Sequence, residues 1–154
     1  RGDEVIGVDN INSYYDISLK FGRLATLGIS EDEITWYKFV SSNLFPKFSF
    51  VRMNLEDRQA MEMLFANGQF DIVINMAAQA GVRYSIENPY AYVESNIDGF
   101  LNQLKLSRIY SYGWNKILIR ISFFSRIISI TFWKSSRRLI WVMSGFTFSF
   151  PSTM

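Results

Sequence analysis

Apolar residues along the chain keep two rhythms: compact β-branched runs, and stretches in which they recur every third or fourth position. Glu4-Val-Ile-Gly-Val-Asp9 is a short run closed by an acid, the pattern of a buried strand with a carboxylate at its carboxyl end. Tyr14, Ile17, Phe21 and Leu24 then take helical spacing and predict a helix that stops at Gly28. Glu31 to Pro46 is mixed and turn-rich, whereas Phe48-Ser-Phe-Val-Arg-Met53 alternates as a strand does. Beyond the loop Asn54-Leu-Glu-Asp57, the residues Met61, Leu64 and Phe65 give a second helix its apolar face, with Asn67-Gly68 as its stop. Phe70-Asp-Ile-Val-Ile-Asn-Met76 is a third apolar strand, followed by the small-residue loop Ala77 to Gly81. From Pro89, a good first-turn residue, Val93, Ile97, Leu101 and Leu104 mark a third helix and its apolar stripe. Strand and helix alternate three times, the cadence of a parallel sheet with crossover helices and hence of an α/β fold.

Past Leu104 the rhythm fades. Lys116-Ile-Leu-Ile-Arg-Ile-Ser122 is a candidate strand, and the residues beyond it have no clear period. Charge marks the same boundary: all 14 acidic residues precede Gly99, while half of the 16 bases, 12 of the 26 aromatic residues and three of the four tryptophans come after Asp98. The expected organisation is an α/β unit over residues 1–104 and a divergent, basic, aromatic tail over 105–154, poorly ordered or translated in a shifted reading frame. Its longest uncharged run, Leu139 to Met154, has 16 residues, short of the ~20 needed to span a bilayer. Arg137-Arg138 beside Trp141 sets charge next to a ring, but the bases form no helical stripe, so neither a membrane nor a nucleic-acid partner is expected.

At 154 residues, 49% of them hydrophobic and 19% charged, the chain is long and apolar enough for one packed domain. Zero cysteine and zero histidine exclude thiol nucleophiles, disulfides, His-dependent triads and the usual zinc sites, so no metal site is expected. The chemistry left is that of oxygen, amine and backbone groups, in a chain whose lack of cysteine is compatible with the reducing cytoplasm. The first residue is Arg1, and the expectation is that a preceding segment is missing.

In doubly wound sheets, ligands sit outside the carboxyl ends of the strands, which singles out three places. Asp9-Asn10 follows the first strand, where an acid can accept hydrogen bonds from ribose hydroxyls and repel a 2′-phosphate; the alternative is an acid capping a loop or helix start. Asn54-Leu55 follows the second, where a polar side chain meets an adenine edge or, alternatively, caps the next helix. Met76-Ala77-Ala78-Gln79 follows the third, where small side chains let a flat, charged ligand approach the backbone, unless they serve only sheet-to-helix packing. Arg83, just beyond, has the paired N–H donors for a carboxylate or phosphate, though most loop arginines face water. None of the nine glycines forms a G-x-G or G-x-x-G pair, so the phosphate-cradling turn of a dinucleotide domain is absent; with the strand that carries it, that turn would lie before Arg1.

Arg1-Gly-Asp-Glu-Val-Ile-Gly-Val-Asp-Asn10, Asn54-Leu-Glu-Asp57, Ala77-Ala-Gln-Ala-Gly-Val-Arg-Tyr-Ser-Ile-Glu-Asn-Pro89 and Glu94-Ser-Asn-Ile-Asp-Gly-Phe-Leu-Asn102 resemble the extended short-chain dehydrogenase/reductase family. Within it they resemble the NAD-dependent epimerase/dehydratase enzymes of nucleotide-sugar metabolism, nearest the UDP-glucuronate 4-epimerase branch. The resemblance runs from Gly2 to Leu104. It implies a partial, doubly wound, Rossmann-like sheet that binds NAD, without its first strand and Gly-rich turn. It implies that Asp9 binds the adenosine ribose with Asn10 beside it, and that Asn54, in place of a customary aspartate, meets the adenine with Leu55. Met76, Ala77, Ala78 and Gln79 would flank the ribose and pyrophosphate, Asn96 would approach the nicotinamide side from the third helix, and Arg83 would face the sugar nucleotide.

The family's reaction removes hydride from C4 of a UDP-sugar and returns it to the opposite face, with NAD recycled, so a UDP-sugar such as UDP-glucuronate is the implied substrate. It uses a tyrosine, a lysine four residues later and a serine or threonine. Tyr112-Gly-Trp-Asn-Lys116 has that spacing but precedes the candidate strand instead of following it, and Phe123 and Phe124 interrupt Ser122 and Ser125. No catalytic residue is therefore assigned. The reading is an NAD-dependent 4-epimerase by resemblance, inactive as this piece, whose full-length relatives are expected to be homodimers. The alternatives are a non-catalytic product and a nucleotide-sugar dehydratase or decarboxylase.

Overall fold

The β-branched and aromatic runs form strands in the computed structural model, which describes residues 2–77, 82–110 and 138–142. β1 (Glu4–Asp9), β2 (Phe39–Ser41), β3 (Phe48–Arg52), β4 (Ile72–Asn75) and β5 (Arg138–Val142) make one sheet in the order β2-β3-β1-β5-β4. β3, β1, β5 and β4 are parallel, and β2 runs antiparallel on β3. Three strands were expected over residues 1–104, and the described residues form five. β2 lies in the stretch read as turns, where Val40 is buried between exposed Phe39 and Ser41. β5 comes from the tail, and the candidate strand at Lys116 lies outside the described residues.

Helix α1 (Ile17–Thr26) starts where Asp16 accepts the Ser18 N–H at 2.9 Å. It ends at Gly28, whose φ of +73° allows the Gly28 and Ile29 amides to donate to Ala25 and Leu24, both at 3.0 Å. Contrary to the expected helical face, Tyr14 precedes the helix and Ile17 is exposed, so Phe21 and Leu24 carry the packing. The Asp57 side chain caps α2 (Arg58–Gly68) by accepting the Ala60 N–H at 3.0 Å. This helix runs through its expected stop: Gln69, not Gly68, takes the left-handed conformation. Gly68 instead leaves room for the Phe70 ring, which would lie 2.2 Å from an added Cβ.

After β4 come α3 (Val82–Glu87), α4 (Pro89–Tyr92), a π-helical segment Val93–Asp98, and α5 (Gly99–Tyr110). The third helix expected from Pro89 is thus interrupted, and its stripe faces outward. Val93, Ile97, Leu101 and Leu104 are 40–52% exposed, while α5 buries Gly99, Asn102, Gln103, Leu106 and Ser107. The cause is steric. The π segment shifts the helical phase, and Gly99 sits so close to the chain at Leu55 that a Cβ there would lie 2.8 Å from the Leu55 Cβ. The row that starts at this bare Cα, not the most apolar row, packs inward. It buries the Gln103 amide and Ser107 hydroxyl without hydrogen-bond partners, at a cost of about 1–3 kcal/mol for each such group.

Both sheet faces are covered. Val8, Val51, Ile140 and Val142 pack with Met61, Leu64 and Phe65 of α2 and Leu106 of α5. Phe48 and Phe50 face the other way, with Leu24 and Ile29. Opposite side-chain directions along β3 therefore join two cores, as a doubly wound α/β sheet requires.

Gly99→Ala should destabilise the protein by about 1–3 kcal/mol because helix and loop must move apart. Gly22→Ala, mid-helix with no atom within 4 Å of an added Cβ, should stabilise it by about 0.5–1 kcal/mol. Urea denaturation of the two variants checks both signs. Asp57→Ala should remove about 1 kcal/mol of cap stabilisation at neutral pH. The Ala60 amide, and then the Tyr37 hydroxyl, hold the Asp57 carboxyl below its usual value. The difference between variant and parent should be full above the ordinary carboxylate range and shrink as pH falls through the lowered value; denaturation midpoints against pH measure it.

Candidate functional site

Parallel strands expose their carboxyl ends on one rim, and the register of this sheet makes that rim level. Val8, Val142 and Asn75 are paired across β1, β5 and β4. Asp9 and Met76 are each one position farther, on either side of β5, about 10 Å apart at ordinary strand spacing.

Asp9 is buried beside Lys20 of α1, with side chains 8% and 11% exposed and a separation of 2.9 Å from Nζ to Oδ1. The same Oδ1 accepts the Ile11 N–H at 2.6 Å, and Oδ2 takes part in neither contact. The carboxylate thus shapes its own loop, where Ile11 has φ +52°. Lys20 also donates to the Asn12 Oδ1 at 3.3 Å. Asn10 is tied down through its side chain, which accepts the Asn12 N–H at 3.1 Å, and through its carbonyl, which accepts from the Arg52 Nε at 3.0 Å. The Arg52 guanidinium lies 4.4 Å over the Trp36 ring, and the Met53 N–H donates to the Asp9 carbonyl at 3.2 Å. The exits of β1 and β3 are thereby joined.

Asn54 is half-buried, and Asp57 occupies the cap position that was its alternative role. Leu55 is buried, and its carbonyl and that of Glu56 accept from the Asn102 Nδ2 at 2.9 and 3.2 Å, so α5 clamps this loop. Met76 and Ala77 are half-buried at the exit of β4. The Met76 N–H donates to the Val142 carbonyl at 3.1 Å, and the Ala77 N–H to the buried Asn75 Oδ1 at 2.8 Å. Ala78 and Gln79 lie outside the described residues. Arg83 is exposed, and it stands on the first turn of α3 instead of in a loop. Asn96 is half-buried in the π-helical segment, not at a solvated helical position.

Three features had no signal in the sequence. Lys20 reaches Asp9 only because α1 folds back over β1. Asn102 reaches the Leu55 loop from a distant helix. Tyr14, Tyr84 and Tyr92 form a chain of rings, with centroids 4.9 and 6.4 Å apart, that links the loop after β1 to α3 and α4. Desolvation first, then Tyr14, Tyr15 and Tyr84, push the Tyr92 phenol above its ordinary value. Among the described residues no group of three or more His, Cys, Asp or Glu is placed to hold a metal ion, and no helix is long and apolar enough to cross a membrane.

Lys20→Met should cost about 3 kcal/mol by leaving the Asp9 carboxylate buried and unpaired. Lys20→Met with Asp9→Asn should cost less than the two single losses added together; a denaturation double-mutant cycle measures this coupling.

The chain matches the family model described as GDP-mannose 4,6 dehydratase over residues 21–125. It is 44% identical over 108 residues to Protein CapI of Staphylococcus aureus, covering 70% of this chain and 28% of that protein. It is 38% identical over 119 residues to UDP-glucuronate 4-epimerase of Thermodesulfobacterium geofontis (strain OPF15), covering 77% of this chain and 32% of that protein. The chain thus spans less than a third of the length of either relative. The crystal structure of Thermus thermophilus UDP-glucose 4-epimerase in complex with NAD superposes with a TM-score of 0.42 at 24% identity, over 69% of this chain and 34% of that one.

Proposed function

The chain belongs to the NAD-dependent epimerase/dehydratase family described by the GDP-mannose 4,6 dehydratase model, and from that premise we propose that its sheet rim binds NAD. The observation that carries this reading is the placement of Asp9 and Met76–Ala77 on one rim, either side of β5. The residues fit such a ligand in three respects. The Asp9 Oδ2 is an acceptor for ribose hydroxyls and a negative charge against a 2′-phosphate. Asn54 carries both donor and acceptor for an adenine edge. Ala77 offers a short side chain for the ribose and pyrophosphate, and the same reading assigns Ala78 and Gln79, outside the described residues, to that part of the ligand, with Asn10 and Leu55 supporting the adenosine loops and Asn96 on the nicotinamide side.

A bound NAD would supply a hydride acceptor and donor for the sugar's C4; the residues named here bind and orient it. The substrate class is a UDP-sugar such as UDP-glucuronate, with Arg83 as the group for its carboxylate or phosphates. The residues assigned are binding residues, and the chain by itself is expected to bind without turning substrate over. A dehydratase or decarboxylase would begin with the same oxidation at C4. Self-association of the kind expected of the family belongs to the same proposal, and light scattering at micromolar concentration reads it.

Calorimetric titration should give saturable NAD binding, with NADP at least about tenfold weaker, a difference of about 1.4 kcal/mol. In Asp9→Ser the preference should collapse through loss of NAD affinity. No binding by either dinucleotide to folded protein would sink the reading. Incubation with UDP-glucuronate and NAD should leave the sugar unchanged, and formation of the C4 epimer would show that the chain is catalytic.

A further inference from the structure

The tail carries bases and no acids, and the preceding part of the chain carries all the acids, yet the two meet in the middle of the sheet. β5 pairs in parallel with β1 from Glu4↔Arg138 to Val8↔Val142 and with β4 from Ile72↔Leu139 to Asn75↔Val142. β1 and β4 are not neighbours in the sheet, so β5 is what spaces them. Arg138 anchors its start. The Arg138 N–H donates to the Asp71 Oδ2 at 2.9 Å, and its carbonyl accepts the Asp71 N–H at 3.0 Å. Its guanidinium reaches the Glu4 carboxylate at 3.5 Å and the Gly68 carbonyl at 3.3 Å.

The register is specific, because Ile140 is 0% and Val142 1% exposed and a slip of one residue would turn both away from the core on α2 and α5. In the doubly wound order 3-2-1-4, the position between the second and fourth strands belongs to the first. In the run β3-β1-β5-β4 that position is held by residues 138–142.

We propose that residues 138–142 of this same chain are the positioning element of the crevice: they insert between β1 and β4 and hold Asp9 and Met76–Ala77 on one rim. The inference deepens the proposed nucleotide binding and rests on it only for the ligand. It assigns the tail strand a role in binding that its charge and composition do not advertise.

The protein's lack of cysteine makes the test direct. Glu4 and Arg138 are register partners, about 4.8 Å apart at the usual strand spacing, inside the roughly 4.4–6.8 Å that a disulfide spans. The full chain carrying Glu4→Cys and Arg138→Cys should, on mild oxidation at low concentration, form an intrachain disulfide, read as the mass of one chain less two hydrogens. The oxidised variant should bind NAD at least as tightly as its own reduced form. Ile140→Asp, which places an unpaired charge at a fully buried site, should weaken NAD binding by about tenfold or more, and Ile140→Val should restore it. If Ile140→Asp fails to fold, the crosslink alone decides the insertion. No disulfide in a folded chain, or a disulfide found only between copies in a mixture of light and heavy protein, overturns the proposal. A disulfide that forms within one chain whose parent binds no nucleotide supports the insertion and overturns the nucleotide reading alone.

Discussion

Hydrogen bonding of β5 to both β1 and β4 is the constraint on which the rest of the molecule depends, because it converts two separate strand groups into one level rim. β3, β1 and β2 form one group through their own ladders. Among the described residues, β4 joins their hydrogen-bonded ladder through β5. With β5 in place, Ile140 and Val142 complete the core between Val8 and Val73 under α2 and α5, so one strand satisfies two ladders and fills the centre of a packed layer. Its apolar side chains fit that layer, and its leading arginine meets a carboxylate on each neighbouring side, Glu4 and Asp71.

The rim then acquires its chemistry from polar groups that are held tightly. The buried Asp9 carboxylate shares its Oδ1 between Lys20 and its own loop. Arg52 and Asn102 fasten the loops after β1 and β3 through backbone carbonyls. The three tyrosine rings fasten the loop after β1 to the helices after β4. For the proposed ligand, the fastening of the loops after β1 and β3 would reduce the entropy that binding must overcome.

Much of this was legible in local signals. Gly28, the expected stop, ends α1 through backbone hydrogen bonds to near neighbours. The runs at Glu4, Phe48 and Ile72 are strands, and the residues after them, Asp9, Asn54 and Met76, do sit at strand exits. The family resemblance agrees with the family match over residues 21–125. Other signals misled for identifiable reasons. Gln69 took the left-handed turn that Asn67-Gly68 suggested, because Gly68 was needed beneath Phe70. The stripe Val93, Ile97, Leu101 and Leu104 was the most apolar row, yet Gly99 let a different row approach Leu55. β2, only three residues long, had no alternation to display.

By itself the sequence determined the α/β alternation, the stop of α1 at Gly28 and the identity of the polar groups at the strand ends, because turns and periodicity act within a few residues of chain. Tertiary structure alone decided that Lys20 pairs with Asp9, that α5 buries Gln103 in place of Leu104, and that Arg138–Val142 enters between β1 and β4. Each of those outcomes depends on which surfaces lie opposite one another after the chain has folded back. That is a matter of space and hydrogen-bond partners at long separation, for which neighbouring residues carry no record.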